Sequence, residues 1–495
     1  MVALTLKNAL MGSDPARFGA IEALFIFHDP LLGYHWLYSG AAAVGAVTRV
    51  RLSENADMAN PETFHIALGN PTYRVSDFFI STEGGQPRLF VSGSDDNKMV
   101  SFEIGHEGRL SGQSLVTGFD NTPISQVHYV DLPAFGMMVA GARNYSGLTF
   151  FQFDELALTH QDQIVDHAKI AVGNVADIAH ISTPTGAFLI TGSTNDEGVS
   201  SFYVNELGES QFIDTIGTKD GLWLSGLDSV NTVHANGVNY VVIGASGSSS
   251  LSLIRINDMG VLFIEDNTYD SLNSRFFRTD AVTTFTVKDR AFIVAGGADD
   301  GITLLEILPD HSFFQHDVLV NQAGGALQSI KAIAFTEFAA EIQVIAAGQP
   351  GLTLASIDKT SIAIPLLGDA GSNSLTGQEK DDLIWGGAGN DDLKGGPGDD
   401  ILAGGLGFDR LTGGAGADTF VFMRDQARDE VLDFELGQDR LDIQDWGRIY
   451  DVSSIDINET SDGAIISYGD LSAKLISADR QGIEAIDITN DIFLF

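Results

Sequence analysis

An acidic side chain recurs every nine residues between positions 368 and 421, and glycines surround it. The clearest copy is residues 386–394, which read Gly-Gly-Ala-Gly-Asn-Asp-Asp-Leu-Lys. Further copies begin at Gly395, Gly404 and Gly413, and two less regular copies begin at Gly368 and Gly377. Glycine permits backbone angles that a side chain forbids, so each copy is expected to form a tight turn whose carbonyl oxygens approach the carboxylate. Oxygen donors of this kind suit a hard cation such as Ca²⁺.

The places within the nonapeptide have separate expected roles. The sixth place is predicted to ligate the cation and reads Asn373, Asp382, Asp391, Asp400, Asp409 and Asp418. The glycines expected to shape the cation sites are Gly387, Gly389, Gly396, Gly398, Gly405, Gly407, Gly414 and Gly416. The eighth place is always apolar, as Leu375, Ile384, Leu393, Leu402, Leu411 and Phe420. A flexible Gly/Asp linker has no reason to repeat an apolar residue, so the spacing predicts a parallel β-roll that binds several Ca²⁺ ions between its turns.

These nonapeptides resemble the repeats of the repeats-in-toxin (RTX) proteins. In that family, side chains two turns apart hold one ion together with turn carbonyls. The pairs that the resemblance implies are Asp382 with Asp400, Asp391 with Asp409, Asp400 with Asp418 and, with less charge, Asn373 with Asp391. The copy that begins at Gly377 lacks the second and fourth glycines. Its turn is therefore expected to be a poorer site.

The residues after the repeats resemble the C-terminal domain of serralysin-type secreted metalloproteases, in which a roll is followed by a β-sandwich cap. The resemblance rests on residues Asp429–Phe434, Gly437–Ile443 and Tyr468–Ile476. The terminal run Asn490–Phe495 is similar to the uncleaved signal of type I secretion substrates, although it also reads as an ordinary last strand. The resemblance implies an ABC transporter as partner, an extracellular location, and a roll that folds only where Ca²⁺ is abundant.

A longer repeat organises residues 1–365. A β-rich run ends in a glycine, a turn follows, and a second β-rich run completes a hairpin. The anchor glycines are Gly40, Gly93, Gly141, Gly192, Gly244, Gly296 and Gly348. About four strands in each repeat of roughly 50 residues predict one β-propeller blade, and a β-sandwich array needs about twice that length per domain. We therefore expect an all-β chain with a seven-bladed propeller (1–365, closed by residues Val2–Leu6), an RTX roll (366–422) and a C-terminal β cap with a secretion signal (423–495).

Polar side chains recur near the start of the predicted innermost strands of the propeller. They are Asp77, Ser125, Asp177, Asp228 and Asp280, and the strands that follow carry His128, His180 and His234. One hypothesis brings His128, His180, His234, Asp177 and Asp228 together at one channel mouth as candidate catalytic residues. The alternative is that the aspartates cap local turns and the histidines lie in half-buried strands.

Composition excludes several classes of partner and chemistry. The chain has 27 Lys and Arg against 67 Asp and Glu, a net charge of −40, which argues against nucleic acid or anionic membrane as a partner. It has no cysteine, so thiol catalysis is excluded. No apolar run predicts a transmembrane segment, and Met1–Lys7 lacks the pattern of a secretory signal peptide. No zinc-protease helix, nucleophile elbow or phosphate loop is found.

Two classes of function remain. The absence of a catalytic motif favours a secreted, calcium-binding protein whose propeller binds an extracellular polymer, glycan or protein at a cell surface or in a matrix. The alternative is a secreted hydrolase or lyase with its site at the propeller channel, because many enzymes share this export module; a protease relative without its catalytic domain is a third reading. Fold alone does not decide, since propellers host both classes. Histidines and aspartates gathered at one mouth would favour an enzyme, and scattered positions would favour binding.

Overall fold

The structure is a computed structural model that describes residues 2–494, except 12–19, 30–31, 42–44, 67–72, 94–97, 120–123, 125, 142–145, 155–156, 167–169, 272, 323–324, 448 and 450. The chain divides into two compact units. The propeller unit comprises Leu4–Thr286 and Ala291–Ile357, and the roll unit comprises Met1–Ala3, Val287–Arg290 and Asp358–Phe495.

The propeller is built from seven four-stranded antiparallel sheets within the described residues. Its strands are β1 (Thr5–Met11), β2 (Ile21–His28), β3 (His35–Ala41), β4 (Ala46–Leu52), β5 (Met58–His65), β6 (Val75–Ser81), β7 (Arg88–Gly93), β8 (Met99–Ile104), β9 (Leu110–Leu115), β10 (Gln126–Asp131), β11 (Gly136–Gly141), β12 (Gly147–Asp154), β13 (Ala157–Val165), β14 (Val175–Thr183), β15 (Gly186–Ser193), β16 (Gly198–Asn205), β17 (Ser210–Gly217), β18 (Leu227–Ala235), β19 (Val238–Ala245), β20 (Ser250–Ile256), β21 (Leu262–Tyr269), β22 (Ala281–Val287), β23 (Arg290–Gly296), β24 (Gly301–Ile307), β25 (Phe313–Val320), β26 (Gln328–Glu337), β27 (Glu341–Gln349) and β28 (Gly351–Asp358). Blades 1 to 6 are consecutive groups of four strands from β2 to β25, and the sheet order β1-β28-β27-β26 makes blade 7.

The N-terminal strand closes the ring. Strand β1 pairs antiparallel with β28, from Thr5 opposite Ser356 to Met11 opposite Gly351. Closure by the chain start was predicted, but the strand is Thr5–Met11 rather than Val2–Leu6. Because β1 comes from the opposite end of the propeller sequence, blade 7 joins both ends of the ring.

The recurring anchor glycines lie on the second strand of each blade, where the next blade packs closest. A Cβ on Gly40 would overlap Val75 and Phe78, and a Cβ on Gly192 would overlap Leu227 and Val230. Those partners belong to the first strand of the following blade. The same holds for Gly141, Gly244 and Gly296, whereas a Cβ on Gly93 or Gly348 would meet residues of its own blade, so close packing against a first strand explains why the glycine repeats with the blades.

The roll unit consists of two sheets that face each other across one apolar core. Its strands are β29 (Leu366–Leu367), β30 (Ser374–Thr376), β31 (Leu383–Ala388), β32 (Asp392–Pro397), β33 (Ile401–Leu406), β34 (Arg410–Ala415), β35 (Thr419–Val421), β36 (Asp429–Phe434), β37 (Arg440–Asp442), β38 (Asp456–Thr460), β39 (Gly463–Tyr468), β40 (Leu471–Ser477) and β41 (Phe493–Leu494). One sheet has the order β30-β32-β34-β36-β40-β39-β38 and the other β29-β31-β33-β35-β37-β41. The roll strands are parallel, as predicted, and the C-terminal strands extend the same two sheets.

The eighth-place residues of the nonapeptides form the centre of the roll. Ile384, Leu393, Leu402, Leu411 and Phe420 are fully buried in one cluster that continues into the C-terminal strands. Each nonapeptide therefore contributes one apolar side chain, successive copies alternate between the two sheets, and stacking supplies the shared core that a single copy cannot build.

Helical structure in the described part of the chain is limited to short 3₁₀ turns. These are Glu83–Gly85, His106–Gly108, Thr218–Asp220, Gln444–Trp446, Val452–Ser454 and Asn490–Ile492. Among the described residues, no helix has both the length and the apolar character needed to span a membrane.

Candidate metal centre

Two ladders of sixth-place side chains, carboxylates except for Asn373, run along the roll, one beside each sheet. The first ladder is Asn373, Asp391 and Asp409, and the second is Asp382, Asp400 and Asp418. In each ladder the backbone N–H of one residue donates to Oδ1 of the residue 18 positions later. The N···O distances are 2.6 Å for Asn373 to Asp391, 2.8 Å for Asp391 to Asp409, 2.8 Å for Asp382 to Asp400 and 2.9 Å for Asp400 to Asp418. The structure thus brings together every pair that the family resemblance implies.

The second carboxylate oxygen of each central aspartate is buried and has no donor. Within the described residues, Oδ2 of Asp391, Asp400 and Asp409 receives no hydrogen bond, although these residues are at most 2% exposed. A buried carboxylate oxygen without a partner is costly, because it loses hydration and receives nothing in exchange. These three oxygens therefore point to an interaction with a cation.

The glycines keep space open beside these oxygens. A Cβ on Gly395 would overlap Oδ2 of Asp400 and would lie 2.5 Å from the carbonyl oxygen of Gly413. Gly386 has the same relation to Asp391 and to the carbonyl of Gly404. Gly386 and Gly395 thus each border a small cage of one carboxylate oxygen and one carbonyl oxygen from two turns later, and Gly404 borders Oδ2 of Asp409.

The second- and fourth-place glycines shape the turns. All eight have positive φ angles between 97° and 145°, a region that L-residues with side chains rarely adopt. Where a Cβ is placed on them, it meets the backbone two turns earlier; on Gly398, for example, it overlaps the carbonyl of Lys380. These glycines are therefore needed both for the turn angle and for the close stacking of turns.

The two irregular copies differ at the carboxylate. Oδ2 of Asp382 accepts the backbone N–H of Gln378 at 2.7 Å, and Oδ1 of Asn373 accepts that of Asp369 at 3.0 Å. The corresponding Oδ2 atoms of Asp391, Asp400 and Asp409 are free of such donors. Weaker sites at the start of the roll remain a prediction, and this difference in Oδ2 donors is a reason for it.

Burial shapes the acidity of the ladder carboxylates. Burial raises the pKa of Asp400 to about 7, of Asp409 to about 6 and of Asp418 to about 8. The backbone N–H groups that donate to these carboxylates lower their pKa values, and neighbouring carboxylates raise them further. The pKa values of Asp382 and Asp391 are also raised by burial. Without a cation, these groups retain protons well above the usual range for aspartate.

The donor set fits Ca²⁺. No group of three or more His, Asp or Glu side chains in the described part of the chain is arranged to hold a metal by itself. A cation in the roll would therefore combine carboxylate and backbone carbonyl oxygens. All-oxygen sites of mixed carboxylates and carbonyls are typical of Ca²⁺.

A separate cavity of about 450 Å³ lies in the propeller, at the start of the innermost strands. Its lining includes Asp77, Asp177, Asp228, Asp280 and Lys331. Nζ of Lys331 lies 2.6 Å from Oδ2 of Asp280. Ser125, which the sequence groups with these aspartates, lies outside the described residues.

Two of these aspartates connect blades through backbone hydrogen bonds. Asp77 accepts the N–H of Phe78 at 2.8 Å and, from the next blade, that of Val127 at 3.1 Å. Asp177 accepts the N–H of Ile178 at 2.8 Å and that of Val230 at 2.7 Å. The local amide bond is the one expected of a capping residue, and the bond to the next blade was not anticipated.

The three candidate histidines do not lie with the carboxylates. Nε2 of His128 is 2.6 Å from Nδ1 of His180, and burial lowers the pKa of His128 to about 3 and also lowers that of His180. His234 lies elsewhere and pairs with Oδ1 of Asn239 at 2.8 Å. The residues that line the cavity include none of the three.

Sequence reasoning missed a second set of inter-blade aspartates, on the outermost strands. In blades 3 to 6 they are Asp162, Asp214, Asp266 and Asp317. Each accepts the N–H of the following residue and one N–H of the next blade, as in Asp214 with Thr215 at 2.9 Å and Leu262 at 3.0 Å. Their spacing of 51 or 52 residues was a visible signal, because it matches the blade period.

Comparison with known proteins agrees with the roll. The family described as RTX calcium-binding nonapeptide repeat (4 copies) matches residues 367–402 and 394–424. No curated protein matches the chain. Among solved structures, a functionally unknown protein from Desulfotomaculum acetoxidans is similar over 63% of this chain and 96% of its own, with 10% sequence identity and a TM-score of 0.42. That score is too low to support a functional argument. Residues 367–424 are RTX calcium-binding nonapeptide repeats, in a chain that also forms a seven-bladed β-propeller.

Proposed function

We propose that this chain is a secreted calcium-binding protein whose roll folds around Ca²⁺ and whose propeller binds an extracellular polymer, glycan or protein. The observation that carries the calcium role is that, among the described residues, the buried Oδ2 atoms of Asp391, Asp400 and Asp409 have no hydrogen-bond donor. The proposed ligands are the sixth-place residues Asn373, Asp382, Asp391, Asp400, Asp409 and Asp418, with carbonyls from the glycine turns. Asp391 and Asp400 belong to two pairs each, so each of these carboxylates would serve two successive ions.

Counting bound ions tests this role. The chelator-treated full-length chain would be titrated with Ca²⁺ by equilibrium dialysis, beside Asp400→Asn. This variant keeps an oxygen for the ladder hydrogen bond and removes one negative charge. We expect it to bind fewer ions, or to bind them at least about tenfold more weakly. An unchanged stoichiometry and affinity would exclude Asp400 as a ligand.

The proposed location is extracellular, by type I secretion through an ABC transporter. RTX repeats support this proposal. The acidic roll would stay unfolded at low cytosolic Ca²⁺ and would fold outside, where binding only to the folded state stabilises it. The proposed signal is Asn490–Phe495, of which Phe493–Leu494 form the last strand and Phe495 lies outside the described residues. Deleting residues 490–495 should abolish export from a host that carries a type I transporter, while synthesis continues.

We propose a binding role rather than catalysis for the propeller. The cavity gathers Asp177 and Asp228, but the candidate histidines lie elsewhere. Asp177 is further engaged with two backbone amides. An arrangement of this kind offers no carboxylate–imidazole pair for proton transfer.

A polysaccharide panel separates the two candidate functions. The full chain, saturated with Ca²⁺, would be incubated with neutral and acidic polysaccharides, and both retention and release of reducing or unsaturated ends would be measured. Retention without new chain ends supports a binding protein. Release of such ends would establish the hydrolase or lyase alternative.

A further inference from the structure

The carboxylate ladders do not end at the last recognised repeat. The N–H of Asp409 donates to Oδ1 of Asp429 at 2.9 Å, and the N–H of Asp418 donates to Oδ1 of Asp439 at 3.0 Å. Both acceptors are buried, at 5% and 3% exposure. These are the same contacts that join Asp391 to Asp409 and Asp400 to Asp418 within the repeats.

The neighbours of Asp429 and Asp439 also repeat the nonapeptide pattern. The N–H of Glu430 donates to the carbonyl of Asp409, as that of Arg410 does to Asp391. Two residues after each aspartate, Val431 and Leu441 occupy the eighth place. They are fully buried and lie in register with Leu411 and Phe420.

The turns of these two copies replace some carbonyl acceptors with carboxylates. The N–H groups of Gly389 and Gly398 donate to carbonyls of the turn above, but the equivalent N–H of Gly407 donates to Oδ2 of Asp425 at 2.7 Å. Asp433 accepts the N–H groups of Gly413 and Gly414 at 2.9 and 3.0 Å. Asp425 and Asp433 thus serve as carboxylate acceptors at the end of the roll, where the earlier turns use carbonyls.

A further observation, on Asp409, indicates a cation at the end of the first ladder. Oδ2 of Asp409 is fully buried, receives no donor among the described residues, and faces the space that Gly404 leaves open. Asp409 is the residue from which Asp429 continues the first ladder.

We propose that the calcium ladders continue through two further degenerate copies, residues 424–432 and 434–442. Asp429 binds Ca²⁺ together with Asp409, and Asp439 forms a weaker site with Asp418, because Oδ2 of Asp439 already accepts the N–H of Glu435 at 2.8 Å, as Oδ2 of Asp382 does from Gln378. This inference rests on the proposed calcium role of the roll. It adds two sites beyond the recognised repeats and places them on β36 and directly before β37. Those strands pair with β40 and β41, so the last two ions would couple Ca²⁺ binding to the order of the C-terminal strands.

Ion counting on matched variants of the full chain tests the proposal. The variants are Asp429→Asn and Asp439→Asn, with Asp400→Asn as the positive control and Asp470→Asn, an exposed carboxylate of a hairpin turn, as the negative control. Each test variant should lose one ion or bind it at least about tenfold more weakly, as Asp400→Asn does, while Asp470→Asn keeps all ions.

A core variant separates ligand loss from unfolding. Val431→Ala weakens the same strand without removing an oxygen, so it should lower thermal stability and leave the ion count at saturation unchanged. If Val431→Ala also loses the ion, or if Asp429→Asn and Asp439→Asn keep every ion while Asp400→Asn loses one, the extension is wrong and the ladders end at Asp418. If the unaltered chain binds no Ca²⁺ at millimolar concentration, the proposed calcium role itself fails.

Discussion

At the scale of single residues, the two oxygens of each central ladder aspartate have different roles: one holds the stacked turns together and the other is available to a cation. Oδ1 of each ladder aspartate accepts a backbone N–H, as in the 2.8 Å bond from Asp382 to Asp400, and this bond sets the stacking of turns. Oδ2 is left for the cation, in a cage that a first-place glycine keeps open. One substitution can therefore close the cage around Oδ2 while the ladder hydrogen bond to Oδ1 remains, and another can remove the ladder hydrogen bond while the cage stays open.

Gly395→Ala should close one cage while the ladder bond remains. The φ angle of Gly395 is not in the positive region, so alanine meets no φ strain there, but the new Cβ would overlap Oδ2 of Asp400 and the carbonyl oxygen of Gly413, the two oxygens of the cage. We expect Ca²⁺ affinity at that site to fall by about tenfold or more, measured by titration calorimetry. Gly371→Ala is the control, because its Cβ would meet only Oδ1 of Asp369, at 3.3 Å. Equal affinities of the two variants would contradict the cage.

The raised pKa values predict that Ca²⁺ binding strengthens as pH rises. In the ion-free roll, burial raises the pKa of Asp409 to about 6 and of Asp400 to about 7, above the unfolded value of 3.8. Proton binding by Asp400 and Asp409 therefore stabilises the ion-free fold. This contribution is complete below about pH 3.8 and is lost as pH rises through the folded-state pKa values of about 6 and 7. Ca²⁺ must displace these protons. Calcium titrations at pH 5.5 and 8 should show tighter binding at pH 8, and ion-free melts should show lower stability there. Affinity independent of pH would contradict the assignment.

At the scale of strands and blades, the propeller is joined by carboxylates as well as by apolar packing. Asp162, Asp214 and Asp266 each link one outer strand to the next blade through backbone N–H groups. Asp317 makes the corresponding bond to the N–H of Leu4 at 2.7 Å, next to the strand that closes the ring. Hydrogen bonds to charged groups typically contribute about 1.5–3 kcal/mol each, so this set matters to the integrity of the ring.

Asp317→Ala should loosen ring closure specifically. It removes the acceptor for Leu4 and also for Val318, at 2.8 Å. We expect faster amide exchange in β1 and a lower melting temperature of the propeller. Asp214→Ala is the matched control, because it should raise exchange in β21 and leave β1 protected. Equal protection of β1 in both variants would show that Asp317 does not hold the closing strand.

The roll and the blades could be predicted because their sequence repeats have a regular spacing. The last two ladder aspartates could not, because their spacing is irregular. The nonapeptide period fixed the roll, its apolar core and the pairs 18 residues apart, while the anchor glycines fixed seven blades. Asp429 and Asp439 follow their ladder partners by 20 and 21 residues, so no period of nine reveals them. The separation of His128 and His180 from the cavity depends on strand register, which the sequence does not specify. The predicted boundaries at 366 and 423 remain predictions.

At the scale of the whole molecule, the two units differ in what they bury: the roll buries a row of carboxylates beside its apolar core, and the propeller buries mostly apolar side chains. A net charge of −40 opposes compaction, and the roll buries Asp382, Asp391, Asp400, Asp409 and Asp418 beside one another. The propeller unit instead distributes its apolar core over the blades. Calcium should therefore govern the stability of the roll unit far more than that of the propeller unit.

A thermal melt of the full chain, with Ca²⁺ and with chelator, tests that difference. We expect two transitions in circular dichroism, of which only one shifts on chelation. Each site filled at about 100 times its dissociation constant adds about 2.7 kcal/mol to the folded roll, so several sites together should shift that transition strongly. The propeller transition should stay in place, because the carboxylate cages lie outside the propeller unit.

Asp400→Asn should reduce the calcium-dependent shift and leave the other transition unchanged. A single transition that collapses without Ca²⁺ would mean that the propeller also depends on bound ions, and the cavity lined by Asp177 and Asp228 would then be the first place to look for them.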